Sequence, residues 1–172
     1  MILETERLVL RKFVPEDLDA LFELYRDQEI RQYFPEGVLN YAQTKEELEW
    51  FLNGHPRFPE LGLWATVNKE TGEFMGRCGL LPWTIEDRQE VEVAYLLGKK
   101  FWGQGFASEA ALAIVRYAFE ELNLSRLICL IDPENLASVK VAQRIGMSFE
   151  QKVDGIDGDG IPTLIYSISR NP

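Results

Sequence analysis

Gly103 and Gly105 stand one residue apart between two patterned stretches. Before them, Val91 to Leu97 is an apolar run that reads as a strand; after them, Ala107 to about Leu122 repeats with helical spacing. A helix N-terminus leaves its first backbone N–H groups unpaired and carries a partial positive charge. Glycine, with no Cβ, lets that backbone approach a ligand closely. The combination suits a phosphate or pyrophosphate. A tight loop that needs glycine for its dihedral angles alone is the other reading of the same residues.

The type of phosphate ligand follows from what surrounds the glycines. Gly98 and Gly103 have the spacing of a P-loop, but Gln104-Gly105 follow where Lys-Ser/Thr is required, which argues against nucleoside triphosphate hydrolysis. Gly103-x-Gly105-x-x-Ser108 nearly fits the dinucleotide fingerprint. The acidic residue that should follow, Asp132, comes 27 residues after Gly105, and the motif lies in the second half of the chain, after several hairpin-linked strands. An NAD-dependent oxidoreductase is therefore a weaker alternative.

Composition narrows the classes further. The 172 residues suit one domain, 1–172, with a sizeable core, and 46% hydrophobic with 27% charged residues is ordinary for a globular protein. A formal net charge of −10 disfavours nucleic acid as a partner and is compatible with a cationic acceptor such as an amine. Cys78 and Cys129 both lie in strand-like apolar runs, so buried free thiols in a reducing, cytoplasmic compartment are expected. With His55 the single histidine and no C-x-x-C pair, neither a metal site nor triad chemistry is expected. The early charges of Met1-Ile2-Leu3-Glu4-Thr5-Glu6-Arg7 do not suit a signal peptide, and no apolar run approaches the ~20 residues of a membrane span.

The elements that must position the loop can be read in order. Glu6 to Phe13 reads as a strand, and Pro15 opens a helix to about Asp27 with Leu18, Leu21, Phe22 and Tyr25 on one stripe. Ile30 to Asn40 reads as loop. Thr44 and Glu47 form a capping box for a helix to about Leu52. Leu63 to Val67 and Glu73 to Leu81 make a hairpin across Asn68-Lys69-Glu70-Thr71-Gly72, and a longer connection, Trp83 to Gln89, leads to the strand Glu90 to Leu97. Arg126 to Ile131 is the next strand. Asn135 caps a helix from Leu136 to Ile145 that Gly146 ends. Met147 to Lys152 and Thr163 to Ser169 close the sheet across the turn Asp154 to Gly160. Strand 90–97, helix 107–122 and strand 126–131 form a βαβ unit, so those two strands should be parallel. The expected class is α+β: a mixed, mostly antiparallel seven-stranded sheet with about four helices on both faces.

Lys100-Phe101-Trp102-Gly103-Gln104-Gly105 matches the Gln/Arg-x-x-Gly-x-Gly/Ala signature of the GNAT N-acetyltransferases except at its first position. Phe101-Trp102-Gly103-Gln104-Gly105-Phe106-Ala107-Ser108-Glu109-Ala110 resembles the Tyr-Trp-Gly-x-Gly-Tyr-Ala-Thr-Glu-Ala string of the branch that acetylates ribosomal-protein N-termini. Thr5 to Arg11 resembles that branch's opening strand, and the resemblance runs from about Thr5 to Ser169.

The resemblance implies acetyl-CoA as cosubstrate and an amine as acceptor, a protein N-terminus or a small molecule, in a monomer or homodimer without a metal. Backbone N–H groups of Phe101 to Phe106, with Lys100 and Ala107 beside them, would hold the pyrophosphate. The strand backbone at Tyr95, Leu96 and Leu97 would pair with the pantetheine arm. Asn135-Leu136-Ala137-Ser138 matches a family Asn-x-x-Ser pattern, in which the asparagine binds that arm and the serine lies close; helix capping is Asn135's plain alternative. Lys99 with Lys100, or Lys140 with Arg144, could meet a phosphate or be solvated surface.

The strand Val91 to Leu97 resembles the branch's Glu-Ile-Gly-Tyr-Trp-Leu, which places its glutamate, the general base, at Glu92, with Glu90 the fallback. Ala94 and Leu96 replace the family glycine and tryptophan, altering the pocket walls. Tyr166 and Ser138 are candidate general acids for the departing thiolate. Tyr33, Phe34, Trp50 and Phe51 would line the acceptor pocket or simply pack the core. A non-catalytic acyl-CoA sensor would keep the loop and Asn135 without depending on Glu92.

Overall fold

The computed structural model describes residues 1–156 and 160–170. Eight strands form one sheet: β1 (Leu3–Glu4), β2 (Leu8–Arg11), β3 (Gly62–Asn68), β4 (Phe74–Ile85), β5 (Arg88–Leu97), β6 (Arg126–Ile131), β7 (Ser148–Asp154) and β8 (Pro162–Ser169). Their order is β1-β2-β3-β4-β5-β6-β8-β7, and among these neighbours only β5 and β6 run parallel. The helices are α1 (Leu18–Tyr25), α2 (Gln28–Arg31), α3 (Tyr41–Asn53), α4 (Phe106–Glu120) and α5 (Leu136–Arg144). The α+β class is as expected, with the βαβ unit at β5-α4-β6.

Four local expectations are corrected. The run Glu6 to Phe13 holds a shorter strand, β2, and a further strand, β1, precedes it. The chain turns at Thr5, whose Oγ1 accepts from the Leu8 N–H at 2.9 Å, and β1 folds back along β2, giving eight strands rather than seven. A short helix, α2, occupies part of the expected loop because Asp27 caps it, accepting from the N–H groups of Glu29 and Ile30. Helix α3 begins three residues before Thr44. Asn40 and Gln43 form the capping box, while the buried Thr44 hydroxyl donates back to the Asn40 carbonyl at 2.9 Å. Strand β4 continues through Trp83 to Ile85, and the turn into β5 is Glu86-Asp87, both in the left-handed region at φ 47° and 64°. Part of the turn Asp154 to Gly160 lies outside the described residues.

The sheet has two coated faces. Helix α4 packs Phe106, Ala110, Ile114 and Ala118 against Leu8, Leu80, Val93 and Leu127, and α5 adds Ala142. Fully burying a side chain such as Ile114 contributes about 1.5–3 kcal/mol. On the other face, Leu21, Leu24, Tyr25 and Leu48 of α1 and α3 cover Ala65, Phe74 and Leu96. Side chains alternate along β5. Val91, Val93, Tyr95 and Leu97 therefore join the α4 side, and Leu96, with Ala94 and Glu92 in register, points to the α1–α3 side.

Candidate active site

The two parallel strands meet at a single rung, Glu92 with Ile128. Beyond it no further rung joins them toward their C-termini, where the Cys129 thiol donates to the Val93 carbonyl at 3.2 Å, while β5 stays paired with β4 through Leu97. The Tyr95 hydroxyl spans the opening and donates to the Ser138 carbonyl at 2.9 Å. Asn135, at the N-cap of α5, accepts from the Ser138 N–H at 3.1 Å. The cleft thus lies between β5 and the start of α5, where Tyr95, Asn135 and Ser138 come together.

The glycine loop closes the mouth of this cleft. Lys99–Phe101 is a single 3₁₀ turn, Gly103 has φ 73° and Gly105 has φ 82°, both conformations that glycine adopts without strain. Among the described residues, the N–H groups of Gln104, Gly105, Phe106 and Ala107 make no hydrogen bond of good geometry, the turn over 102–105 being closed only weakly. The Ser108 hydroxyl in the same turn is buried without a partner. Nothing lies within 4 Å of where a Gly103 Cβ would be. Unpaired donors at a helix N-terminus, an orphan hydroxyl and open space beside a glycine fit a pyrophosphate group.

Several predicted residues are already engaged. The Trp102 indole donates to the Leu97 carbonyl at 2.8 Å, so this carbonyl is occupied from the loop side. The Lys100 ammonium pairs with Glu73, and its carbonyl accepts from the Gln104 side chain at 2.6 Å. Lys99 is held by Asp27 and Glu29 at 2.9 and 3.1 Å. Lys140 and Arg144 are exposed, with no ion pair among the described residues.

A clamp that sequence reasoning missed holds the loop to the N-terminal hairpin. Glu109, in the first turn of α4, accepts from the Thr5 hydroxyl at 2.6 Å and from the Arg7 backbone N–H at 2.9 Å, and pairs with the Arg7 guanidinium at 2.7 Å. Arg7 also donates to the Gln104 carbonyl at 3.1 Å and lies 4.1 Å over the Phe106 ring. Burial alone would raise the Glu109 pKa, but the bonds from Thr5 and Arg7 outweigh it and hold the carboxyl below its ordinary value.

Glu92 sits at the apex of the opening, partly reached by solvent. Burial pushes its pKa up to about 7, although the Trp83 indole, the Arg77 charge and the Leu130 backbone each pull it down. The Trp83 Nε1 donates to Glu92 Oε2 at 2.7 Å, which orients the carboxylate. Trp83 lies in β4, where the sequence reads as a connection, so nothing in the sequence signals its bond to Glu92. Glu90 is not free to act: it is buried and accepts from the Arg126 Nε at 3.0 Å.

Tyr166 is not brought together with Glu92. It pairs with Cys129 across β6 and β8, meets the Phe149 ring edge-on with centroids 5.7 Å apart, and belongs to the α4 face of the sheet. The aromatic candidates divide. Phe34 packs on Arg31 and Arg77, and Tyr33 donates to the Glu134 carbonyl at 3.4 Å, bridging the opening. Phe51 stacks on Phe13 in the core, and Trp50 leans on Phe51.

The family model of the acetyltransferase (GNAT) domain matches residues 7–148, from the Arg7 clamp through α5. The chain belongs to the GNAT acetyltransferase family. An uncharacterized protein, YkkB, of Bacillus subtilis (strain 168) is 36% identical over 152 residues, covering 88% of this chain and 87% of that protein. An uncharacterized N-acetyltransferase, p20, of Bacillus licheniformis is 32% identical, covering 87% and 83%. The crystal structure of a GNAT-family acetyltransferase from Bacillus anthracis superposes with a TM-score of 0.81 at 25% identity, covering 96% of each chain. This GNAT chain is an N-acetyltransferase, and the oxidoreductase alternative falls with that assignment. No helix among the described residues is long and apolar enough to cross a membrane.

Proposed function

We propose that the chain transfers acetyl from acetyl-CoA to a primary amine by direct attack on the thioester, with Glu92 as the general base. The observation that carries this reading is the position of Glu92: a carboxylate with a pKa lifted to about 7, at the single rung where β5 and β6 begin to separate. A base with a pKa near the working pH is both ionised and basic enough to take an ammonium proton.

In this account the loop N–H groups from Gln104 to Ala107 hold the pyrophosphate, and the edge of β5 near Tyr95 pairs with the pantetheine arm. Acetyl-CoA supplies an activated acyl group. Glu92 takes the proton from the incoming amine, either directly or through one water. The nitrogen–carbon bond forms as the carbon–sulfur bond breaks, and the sulfur departs as thiolate. Asn135 and Ser138 position the arm from α5. Tyr166 has no role in this step, because it lies on the opposite face from Glu92.

The donor half is tested by thermal unfolding with acetyl-CoA, CoA, NADH and ATP in parallel. A ligand at 100 times its Kd adds about 2.7 kcal/mol, which is a shift of about 5–11 °C at this chain length. Shifts with acetyl-CoA and CoA alone are expected. A shift with NADH alone would overturn the reading of the loop.

A further inference from the structure

Two arginines are buried on the same face of the sheet as Glu92. Arg31, the last residue of α2, is 2% exposed, and Arg77 of β4 is 6% exposed. Arg77 sits opposite Leu96, and Glu92 sits opposite Leu81, four residues farther along β4. Both guanidinium groups lie on the same two rings: Arg31 is 4.9 Å from the Tyr25 centroid and 4.1 Å from that of Phe34, and Arg77 is 5.5 and 5.6 Å from them.

A buried charge is costly unless it is paired and hydrogen-bonded. These two are underpaired within the protein, and their unbonded terminal nitrogens keep some contact with solvent. An arginine offers five N–H donors. Arg77 gives its Nε to the Tyr25 hydroxyl, and among the described residues its terminal nitrogens meet no acceptor and no carboxylate. Arg31 gives its Nε to the Gly37 carbonyl at 2.8 Å and has a loose contact, 3.7 Å, with the exposed Glu36. Burial, followed by the charge of Arg77, lowers the Arg31 pKa, which places the two cations side by side. The charge of Glu47 of α3 is felt at Arg31, but its carboxylate bonds Tyr25 rather than either guanidinium. The charge of Arg77 is also felt at Glu92.

The natural complement of a paired, planar, incompletely bonded guanidinium site is an oxyanion, which accepts two parallel N–H bonds. We propose that Arg77, backed by Arg31, forms a subsite for a carboxylate on the acceptor, so that the preferred acceptor is a primary amine that also carries a carboxylate. This rests on the proposed acetyl transfer at Glu92. The four-residue offset along β4 is about 13 Å of strand. That offset separates the two groups along one face, with an amino acid or the first residues of a peptide lying between them, the amine at Glu92 and the carboxylate at Arg77. A long polycation would instead meet the two buried positive charges.

The test measures CoA release from acetyl-CoA with matched acceptors: free amino acids against their amides, peptides with an acidic against a neutral second residue, and spermidine. The expected result is a kcat/KM at least about ten-fold higher for the carboxylate-bearing member of a pair. That ratio should collapse toward one in Arg77→Gln and recover only partly in Arg77→Lys. The arm that shows the preference, free amino acid or acidic peptide, identifies where the carboxylate resides. A second readout, protection of the native protein against unfolding by the acid but not by its amide, needs no variant. Turnover of amines with no preference for the acid, or a preference that survives in folded Arg77→Gln, overturns this subsite and leaves acetyl transfer standing. Turnover of no amine at all overturns both.

Discussion

Glu92 of β5 and Ile128 of β6 form the single parallel rung that joins the two halves of the sheet. On one side of it no further rung forms, and the opening is crossed by side chains: Cys129 to the Val93 carbonyl, Tyr95 to Ser138 and Tyr33 to Glu134. On the other side, the Trp83 indole holds the Glu92 carboxylate. The same residue therefore marks where the cleft begins and presents the shielded carboxylate at its floor.

The bond from Trp83 favours the charged form of Glu92. Trp83→Phe removes the donor and should move the Glu92 titration above pH 7. The pH–rate profile checks this: the rising limb of kcat/KM shifts to higher pH in the variant. An unmoved limb would mean that another group titrates.

Glu92 should also leave a mark on stability. Its folded pKa, about 7, lies above the ordinary value of 4.5, so between those values the folded state binds a proton more tightly than the unfolded chain does. Stability from this group is present below about pH 4.5 and is lost as the pH rises through about 7. Glu92→Gln escapes that loss. Its Tm relative to the parent should be higher at pH 8 than at pH 5. A difference that does not change with pH would mean that the carboxylate is well solvated.

The clamp at Glu109 is the next target. Glu109→Ala removes the bonds from Thr5 and Arg7. Because Arg7 is partly exposed, the loss should be about 1–2 kcal/mol, or a Tm lower by about 2–8 °C. The KM for acetyl-CoA should rise several-fold while kcat changes less, since the clamp positions the loop and does not touch the acetyl group. An unchanged KM would show that the loop holds its shape without the hairpin.

Much of this site was legible in the sequence. Gly103, Gly105 and Asn135 announce themselves because turn dihedrals and caps are local properties, and β6 appears with the bounds read from its apolar run, Arg126 to Ile131. What was not legible depends on contacts far apart in the chain. Glu109 meets Thr5 across 104 residues, and Arg31 meets Arg77 only once α2 lies on the sheet. The hairpin tip was missed for a different reason: Glu86-Asp87 turns the chain at positive φ without glycine. That turned Trp83, the partner of Glu92, into an apparent loop residue.

Gly105 has φ 82°, and a Cβ there would lie 3.6 Å from the Arg7 guanidinium. Gly105→Trp should cost about 1–3 kcal/mol from backbone strain and fill the space beside the loop N–H groups. The expected outcome is a folded protein whose Tm acetyl-CoA no longer raises. An intact ligand shift would place the pyrophosphate elsewhere.

The most direct test of the account is amine-dependent CoA release from acetyl-CoA, measured from pH 6 to pH 9 in the parent and in Glu92→Gln. In the parent the rate should rise through about pH 7. In Glu92→Gln, kcat/KM should fall about 10²–10⁴-fold and lose that pH dependence, while acetyl-CoA still raises the Tm. Equal rates in the two proteins would contradict the role of Glu92. A parent that binds acetyl-CoA but acetylates no amine would make the chain an acyl-CoA sensor instead.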